Sequence, residues 1–371
     1  MIPVDLSALP GIFAQFSAEG SYTTASRIGT GHINDTFHVL TNDPAISFIL
    51  QRINPDVFKD IPGLMNNIGI VTRHLENKIL SGDPYAASFS ILRLIPATNQ
   101  ELYVTDDQRN CWRLYNFIQG TSSHDVVENP EMAYRGGKAF GLFQHLTSDI
   151  SNETLKETIP YFHNIEKRLE TFQIVVRNDT EGRVREVARE IEFVKTRENE
   201  MRLMQNLVGD GTIPVRVTHN DTKFNNILFD KHNQAVCIVD LDTVMPGTVL
   251  YDFGDAIRTG ANRAAEDEKD LTKITLDLDL FHEYTRGYLE TAGRFLSPVE
   301  ISHLAFSAKF MTFIIGIRFL TDYIDGDHYY RILFPGHNLQ RARSQFRLLE
   351  TMEGHFEEMK EIVNKALGIR H

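Results

Sequence analysis

Val217-Thr218-His219-Asn220-Asp221-Thr222-Lys223-Phe224-Asn225-Asn226 is the stretch on which the reading of this chain turns. It fits His-x-Asp-x-Lys-x-x-Asn, and each member has a chemical use at that spacing. A carboxylate at Asp221 can orient a hydroxyl and take its proton as it attacks. Lys223, two residues on, can reach the terminal phosphate of a nucleotide. Asn226 can offer an amide oxygen to Mg²⁺. β-prone runs at Val215–Thr218 and Ile227–Phe229 flank the stretch and would hold it rigidly. His219 is expected to brace the loop rather than to carry protons.

One short hairpin later, Cys237-Ile238-Val239-Asp240-Leu241-Asp242 puts an acid at the end of an apolar strand. Asp240 is the expected second metal ligand, with Asp242 as its supporting partner or a further ligand. Mg²⁺ takes one or two carboxylates and completes its shell with phosphate oxygens and water. Upstream, Arg27-Ile28-Gly29-Thr30-Gly31-His32-Ile33-Asn34-Asp35-Thr36 sets two glycines between strands, where backbone N–H groups can approach phosphates. The third glycine of a dinucleotide fingerprint is missing, and no Gly-x-x-x-x-Gly-Lys-Ser/Thr run occurs, so a P-loop enzyme is excluded. Singly, His-x-Asp is most often a turn, Asp-x-Asp a solvated strand end and Gly-x-Gly a hairpin. All three in this order read as a kinase-like site.

The chain around them divides in two. Thr36–Leu40, Ser47–Ile53, Ser90–Ile95, Glu101–Thr105 and Cys111–Ile118 read as strands, with one amphipathic helix carried by Leu64, Ile68, Val71, Leu75 and Ile79. After Asn129, helical patterns dominate at Met132–Thr147, Val184–Leu207, Leu280–Thr291 and Pro298–Ile324, with Val236–Val239 as a last strand. The expected fold is therefore α+β and bilobal: residues 1–118 form a small antiparallel sheet with one helix, and residues 119–371 a larger, mainly helical lobe. A length of 371 residues suits one large domain or two lobes.

Composition narrows the function further. The 38 Lys and Arg against 50 Asp and Glu give a net charge of −12, which excludes a general nucleic-acid binder. Cys111 and Cys237 lie far apart in apolar runs and read as buried thiols in a reducing compartment. The N-terminus shows neither a basic nor an apolar leader segment. Ile301 to Leu320 is apolar but interrupted by His303, Lys309 and Arg318, so it reads as a core helix rather than a membrane span. A soluble, cytoplasmic protein is the expectation, with its oligomeric state open and a monomer favoured.

The motifs resemble the aminoglycoside phosphotransferase and choline kinase superfamily. The flanking segments, which phosphoryl transfer does not itself require, most resemble its N-acetylhexosamine 1-kinase branch. They include Trp112-Arg113-Leu114-Tyr115, Met245-Pro246-Gly247, Tyr251-Asp252-Phe253-Gly254-Asp255, Glu266-Asp267-Glu268-Lys269-Asp270-Leu271 and Arg318-Phe319-Leu320. The resemblance implies a protein-kinase-like fold and ATP- and Mg²⁺-dependent phosphorylation of the anomeric hydroxyl of N-acetylglucosamine or N-acetylgalactosamine. Asp221 would be the base, and Asn226 and Asp240 would hold the metal. Gly29, Thr30 and Gly31 would cover the phosphates, and backbone groups of Tyr115, Asn116 and Phe117 would bind adenine. Sugar contacts would fall to Asp221, His32, Asn34, Arg318 and Tyr329.

The sequence departs from the wider superfamily at Gln51, where Lys or Arg is usual, and Glu76 comes too late in its helix to be the partner acid. The hexosamine kinase pattern also carries Gln there. Phosphates would then rest on Mg²⁺, Lys223 and loop amides, or on Arg52 if the strand register differs. Two other functions compete. One is a related kinase of homoserine, another sugar or an aminoglycoside, although Arg258 and Arg318 suit a polycation poorly. The other is a non-catalytic binding protein of kinase shape, which would have no reason to keep Asp221, Asn226 and Asp240 together.

Overall fold

The computed structural model describes residues 4–28 and 33–368, apart from the side chain of Ser88. Its first lobe carries a short helix α1 (Leu9–Phe13) and strands β1 (Tyr22–Arg27), β2 (Asp35–Thr41) and β3 (Ser47–Arg52). Helix α2 (Ile61–Leu80) follows, then β4 (Leu94–Ile95), β5 (Val104–Thr105) and β6 (Cys111–Asn116). The strands make one antiparallel sheet in the order β1-β2-β3-β6-β4, with β5 also paired to β6. Alternation sorts its faces. Phe37, Val39, Phe48, Leu50, Trp112 and Leu114 bury one face against Leu9, Ile12 and Phe13 of α1, giving this lobe its own core. Gln51, Arg113 and Tyr115 fall on the other face. Helix α2 starts where the Asp60 carboxylate accepts the Gly63 amide at 2.9 Å, with Pro62 in the first turn.

The chain crosses to the second lobe through Gly120, whose φ of +70° suits glycine. There β7 (Thr121–Ser122), β9 (Ile227–Asp230) and β10 (Ala235–Ile238) form a small sheet, and β8 (Arg216–Thr218) pairs with β11 (Met245–Gly247). The helices are α3 (Pro130–Thr147), α4 (Ile165–Asn178), α5 (Ala188–Gly209), α6 (Val249–Gly260), α7 (Leu278–Ala292), α8 (Pro298–Ser302), α9 (Leu304–Asp325), α10 (His337–Gly354) and α11 (Phe356–Gly368). The α+β, bilobal expectation holds in this architecture. By length and composition α9 could cross a membrane, yet 94% of its most apolar window is buried inside the fold. It is the central core helix, flanked by α4, α6 and α10.

Several sequence expectations need correction. The single helix expected over Pro298–Ile324 is two, α8 and α9, broken at His303 (φ −103°, ψ 2°). There the His303 ring donates from Nδ1 to the Val299 carbonyl at 2.8 Å, while the Glu300 carboxylate takes Arg216 at 2.7 Å. The strand expected at Ser90–Ile95 keeps only Leu94–Ile95, because the Ser90 amide turns to the Val236 carbonyl at 2.6 Å in the other lobe. The strand expected from Glu101 begins at Val104, since residues 97–101 close a tight turn with Gln100 at φ +72°. Strand β1 and helices α1, α4, α6, α10 and α11 were not anticipated. Cys237 is buried as expected, but Cys111 is only half-buried.

Helices α3 and α7 approach closely through glycines. A Cβ on Gly287 would overlap the Tyr134 carbonyl oxygen, and one on Gly137 the Tyr284 carbonyl oxygen. Overlap with backbone cannot be relieved by a rotamer change. Gly287→Ala is therefore expected to destabilise the protein by about 1–3 kcal/mol in urea unfolding. Gly209→Ala, with nothing within 4 Å of the added carbon, is the control and should be neutral or slightly stabilising. Equal effects at the two sites would contradict this packing.

Candidate active site

The loop from Thr218 to Asn226 is held mainly by one side chain. Asp252, in the first turn of α6 and 1% exposed, accepts the backbone amides of His219 (2.9 Å, Oδ2) and Asn220 (2.7 Å, Oδ1). Gln144 of α3 donates to the same carboxylate at 2.7 Å and is itself hydrogen-bonded by the Tyr288 hydroxyl of α7. The Thr222 hydroxyl donates to the Asp252 carbonyl at 2.5 Å. His219 donates from Nε2 to the Val239 carbonyl (3.0 Å), and its Nδ1 accepts the Asp221 amide (3.3 Å). Both ring nitrogens are thus engaged by backbone, which is a bracing arrangement. Asn220 and Asp240 take left-handed conformations, φ +62° and +59°, which Asn and Asp tolerate best after glycine. The Asn220 amide ties the two turns together by donating to the Thr243 carbonyl at 3.0 Å.

The expected catalytic residues meet in this frame. Asp221 Oδ1 stands 3.4 Å from Lys223 Nζ, and Asn226 Nδ2 donates to the Asp221 carbonyl at 2.8 Å and to Oδ2 at 3.3 Å. Burial would raise the Asp221 carboxyl, but the charge of Lys223, then that of Arg258, holds it below the usual carboxylate range. The Asp221 charge in turn raises the Lys223 ammonium. At neutral pH Asp221 is the ionised acceptor that a base must be. Asp240 behaves oppositely. Desolvation, then the charges of Asp242 and Asp221, raise its carboxyl from 3.8 to about 7. The residue keeps part of its surface exposed to solvent, which screens the effect.

Crowded carboxylates at the mouth of a cleft suit a cation. Asn226 uses its Nδ2 on Asp221, and its Oδ1 accepts no hydrogen bond among the described residues. That oxygen and the Asp240 carboxylate are hard donors of the kind Mg²⁺ takes, so the residues fit the ion. No cluster of three or more His, Cys, Asp or Glu suited to a metal occurs among the described residues, and phosphate oxygens and water would complete the shell of an ion held here.

Other expected residues fall into several groups. Gly29, Thr30, Gly31 and His32 lie outside the described residues. Asn34 is committed at both ends, its Nδ2 donating to Asp242 Oδ2 (2.6 Å) and its Oδ1 accepting the Asn54 amide (3.0 Å). In the hinge, the amides of Asn116 and Phe117 already donate to the carbonyls of Arg93 (3.1 Å) and Ser47 (3.0 Å), and so are not free for a purine edge. Tyr115 is buried, with the Arg113 guanidinium over its ring. Arg318, on α9, lies against the rings of Phe162, Tyr329 and Tyr330 at 4.8, 5.8 and 5.7 Å, and Tyr329 is exposed. Burial first, then the Arg318 charge, lowers His163 to about 3; its Nε2 donates to the Asn220 carbonyl at 3.1 Å. This line of contacts joins Arg318 to the catalytic loop.

Arg52 does not take over from Gln51. Gln51 pairs across the sheet with Arg113 and Arg52 with Trp112, so Arg52 lies on the opposite face, bonded to Asp35 at 2.5 and 3.0 Å. Sequence reasoning missed Asp252, Gln144 and His163 as supports of the loop. It also missed Arg113, although both Arg113 and Asp252 stood in segments singled out as unexplained by phosphoryl transfer.

A small antiparallel sheet lobe over a helical lobe, with an Asp-Lys-Asn loop and a second acidic turn facing the cleft between them, defines a kinase-like phosphotransferase. Residues 24–293 match the family model described as the phosphotransferase enzyme family, and the chain belongs to that family. Solved structures share the fold. A microcompartment-associated aminopropanol kinase aligns at 13% identity with a TM-score of 0.65, covering 96% of this chain and 99% of the other. A spectinomycin phosphotransferase solved with ADP and spectinomycin gives 14% identity and 0.55, covering 99% and 100%. An ethanolamine kinase of Plasmodium vivax gives 14% and 0.54, covering 87% and 82%.

The raised Asp240 carboxyl has a measurable consequence. A folded pKa above the unfolded one favours the protonated form, so this contribution to stability is full below 3.8 and is lost as the pH rises through about 7. Asn at 240 keeps the left-handed turn and removes the charge. Without added metal, Asp240→Asn should match the wild type in thermal melting at about pH 4 and exceed it by up to about 1 kcal/mol near pH 8, a figure reduced for solvent screening. A difference independent of pH would contradict the crowding of these carboxylates.

Proposed function

We propose that this protein is an ATP- and Mg²⁺-dependent kinase that phosphorylates the anomeric hydroxyl of an N-acetylhexosamine. The observation that carries the phosphotransfer half is the ionised Asp221, fixed beside Lys223 and within one turn of Asn226. In the proposed reaction the acceptor oxygen attacks the γ-phosphorus, the bond from that phosphorus to ADP breaks, and the acceptor proton passes to Asp221. Lys223 offsets charge on the transferred phosphoryl group. Asn226 and Asp240 would hold Mg²⁺, which neutralises phosphate charge when bound. That spectinomycin phosphotransferase, which shares the fold, was solved with ADP supports a nucleotide as co-substrate.

The acceptor side supports a neutral ring over a polycation. Arg318 stands among three aromatic rings, and Arg168 lies near enough for the Arg318 charge, after burial, to lower its guanidinium to about 10. Arg168 donates to the Phe162 carbonyl rather than to an acid. Aromatic faces beside guanidinium donors suit a pyranose carrying an amide carbonyl, whereas the ammonium groups of an aminoglycoside would meet like charge. The N-acetylhexosamine assignment itself rests on the resemblance of the flanking segments.

The test is Mg²⁺·ATP consumption across N-acetylglucosamine, N-acetylgalactosamine, glucose, galactose, homoserine, aminopropanol and kanamycin, with phosphorus NMR of the product. Turnover confined to the acetylated sugars, with an anomeric phosphate, is expected. Turnover on kanamycin or aminopropanol alone would overturn the sugar assignment.

A further inference from the structure

Three cross-strand neighbours on the cleft face of the first-lobe sheet form a hydrogen-bonded row. Gln51 Nε2 donates to Thr36 Oγ1 at 3.0 Å, and Arg113 Nε donates to Gln51 Oε1 at 3.0 Å. The register puts Thr36 opposite Gln51 and Gln51 opposite Arg113, so the row follows from strand pairing. It ends in the other lobe, where Arg113 Nη1 and Asp242 Oδ1 form a buried ion pair at 2.5 Å that lacks hydrogen-bond geometry. Asn34, also from the first lobe, donates to the second oxygen of the same carboxylate at 2.6 Å. Arg113 is 1% exposed and Asp242 is buried with it.

A buried guanidinium is expensive to desolvate and is retained where its partner is fixed. Here the partner is fixed from both sides, and Asp242 is two residues from Asp240 in the same turn. We infer that Arg113 is a positioning residue for the metal-holding turn: oriented by Gln51, it grips Asp242 together with Asn34 and so sets where Asp240 presents its carboxylate, joining the two lobes across the cleft. With Oδ2 hydrogen-bonded by Asn34 and Oδ1 ion-paired with Arg113, Asp242 is assigned to support Asp240 rather than to ligate the ion. The row also explains Gln51. A neutral acceptor there steers the guanidinium, whereas Lys would set a like charge against Arg113. This inference rests on the Mg²⁺·nucleotide reading of the cleft.

The experiment is calorimetric titration of ADP, with Mg²⁺ and in EDTA, into wild type, Arg113→Met, Arg113→Lys, Asp242→Asn, the Arg113→Met/Asp242→Asn double variant and Gln51→Lys. Loss of a supporting contact to a metal ligand lowers metal affinity about 10–100-fold. Arg113→Met and Asp242→Asn should each weaken Mg²⁺·ADP binding about tenfold or more, with metal-free ADP binding unchanged. The double variant should be no weaker than the weaker single, because both act through one contact. Arg113→Lys should recover part of the loss, and Gln51→Lys should weaken binding. Multiplying losses in the double variant would overturn the inference. So would equal losses in EDTA, which would mean that Arg113 touches the nucleotide, and so would tighter binding by Gln51→Lys. If Arg113→Met does not fold, Asp242→Asn decides alone, and its unchanged Mg²⁺ dependence would overturn the inference. A wild type with no Mg²⁺-dependent ADP binding would reject the underlying reading, and this inference with it.

Discussion

One buried carboxylate organises the catalytic half of this molecule. Asp252 accepts two consecutive loop amides, from His219 and Asn220, and sits in the core at the start of α6. Burial raises the Asp252 carboxyl, the loop amides and Gln144 oppose that shift, and leaving a buried acceptor unpaired is costly. The loop therefore has little freedom to move without leaving that buried carboxyl group without its donors. Gln144 and the Tyr288 hydroxyl extend the support into α3 and α7, the two helices that glycines bring together. Core packing and catalytic geometry are parts of one construction.

On this frame, two acidic turns face the cleft with opposite electrostatic characters. Asp221 is held ionised by Lys223 and Arg258 against its own burial, as a proton acceptor requires. Asp240 is pushed the other way by desolvation and by its acidic neighbours, which leaves it in need of a cation. Their separation in behaviour comes from neighbours, since both are Asp residues on adjoining turns. The first lobe reaches this pair through Arg113 and Asn34, both gripping Asp242.

The candidate catalytic loop was legible because the chemistry proposed for it demands particular residue types at a fixed local spacing, and the acidic turn at Asp240 was legible as a candidate for the same reason. The sheet-then-helix order also showed in the alternating strands of the first third and in the 3.6-residue patterns of α3, α5 and α7. What escaped depends on contacts between residues distant in sequence. Asp252 acts on amides 32 and 33 positions upstream, and Arg113 meets an acid more than a hundred positions away, with no local pattern to announce either. Strand β1 is polar on most positions and gives a weak period-two signal. Helix α6 carries Gly254 in its middle, which lowers helix propensity but admits the Ser307 carbonyl of α9. Helix α4 did carry a usable signal, an Asn164 cap followed by buried Ile165, Leu169 and Phe172.

The most direct test of the account is Asp221→Asn, compared with wild type for Mg²⁺·ATP affinity by calorimetry and for turnover on the best acceptor. Nearly unchanged affinity with turnover reduced about 10²–10⁴-fold is predicted, the range that general-base help supplies. Unchanged turnover would remove Asp221 from the chemistry and contradict the account at its centre.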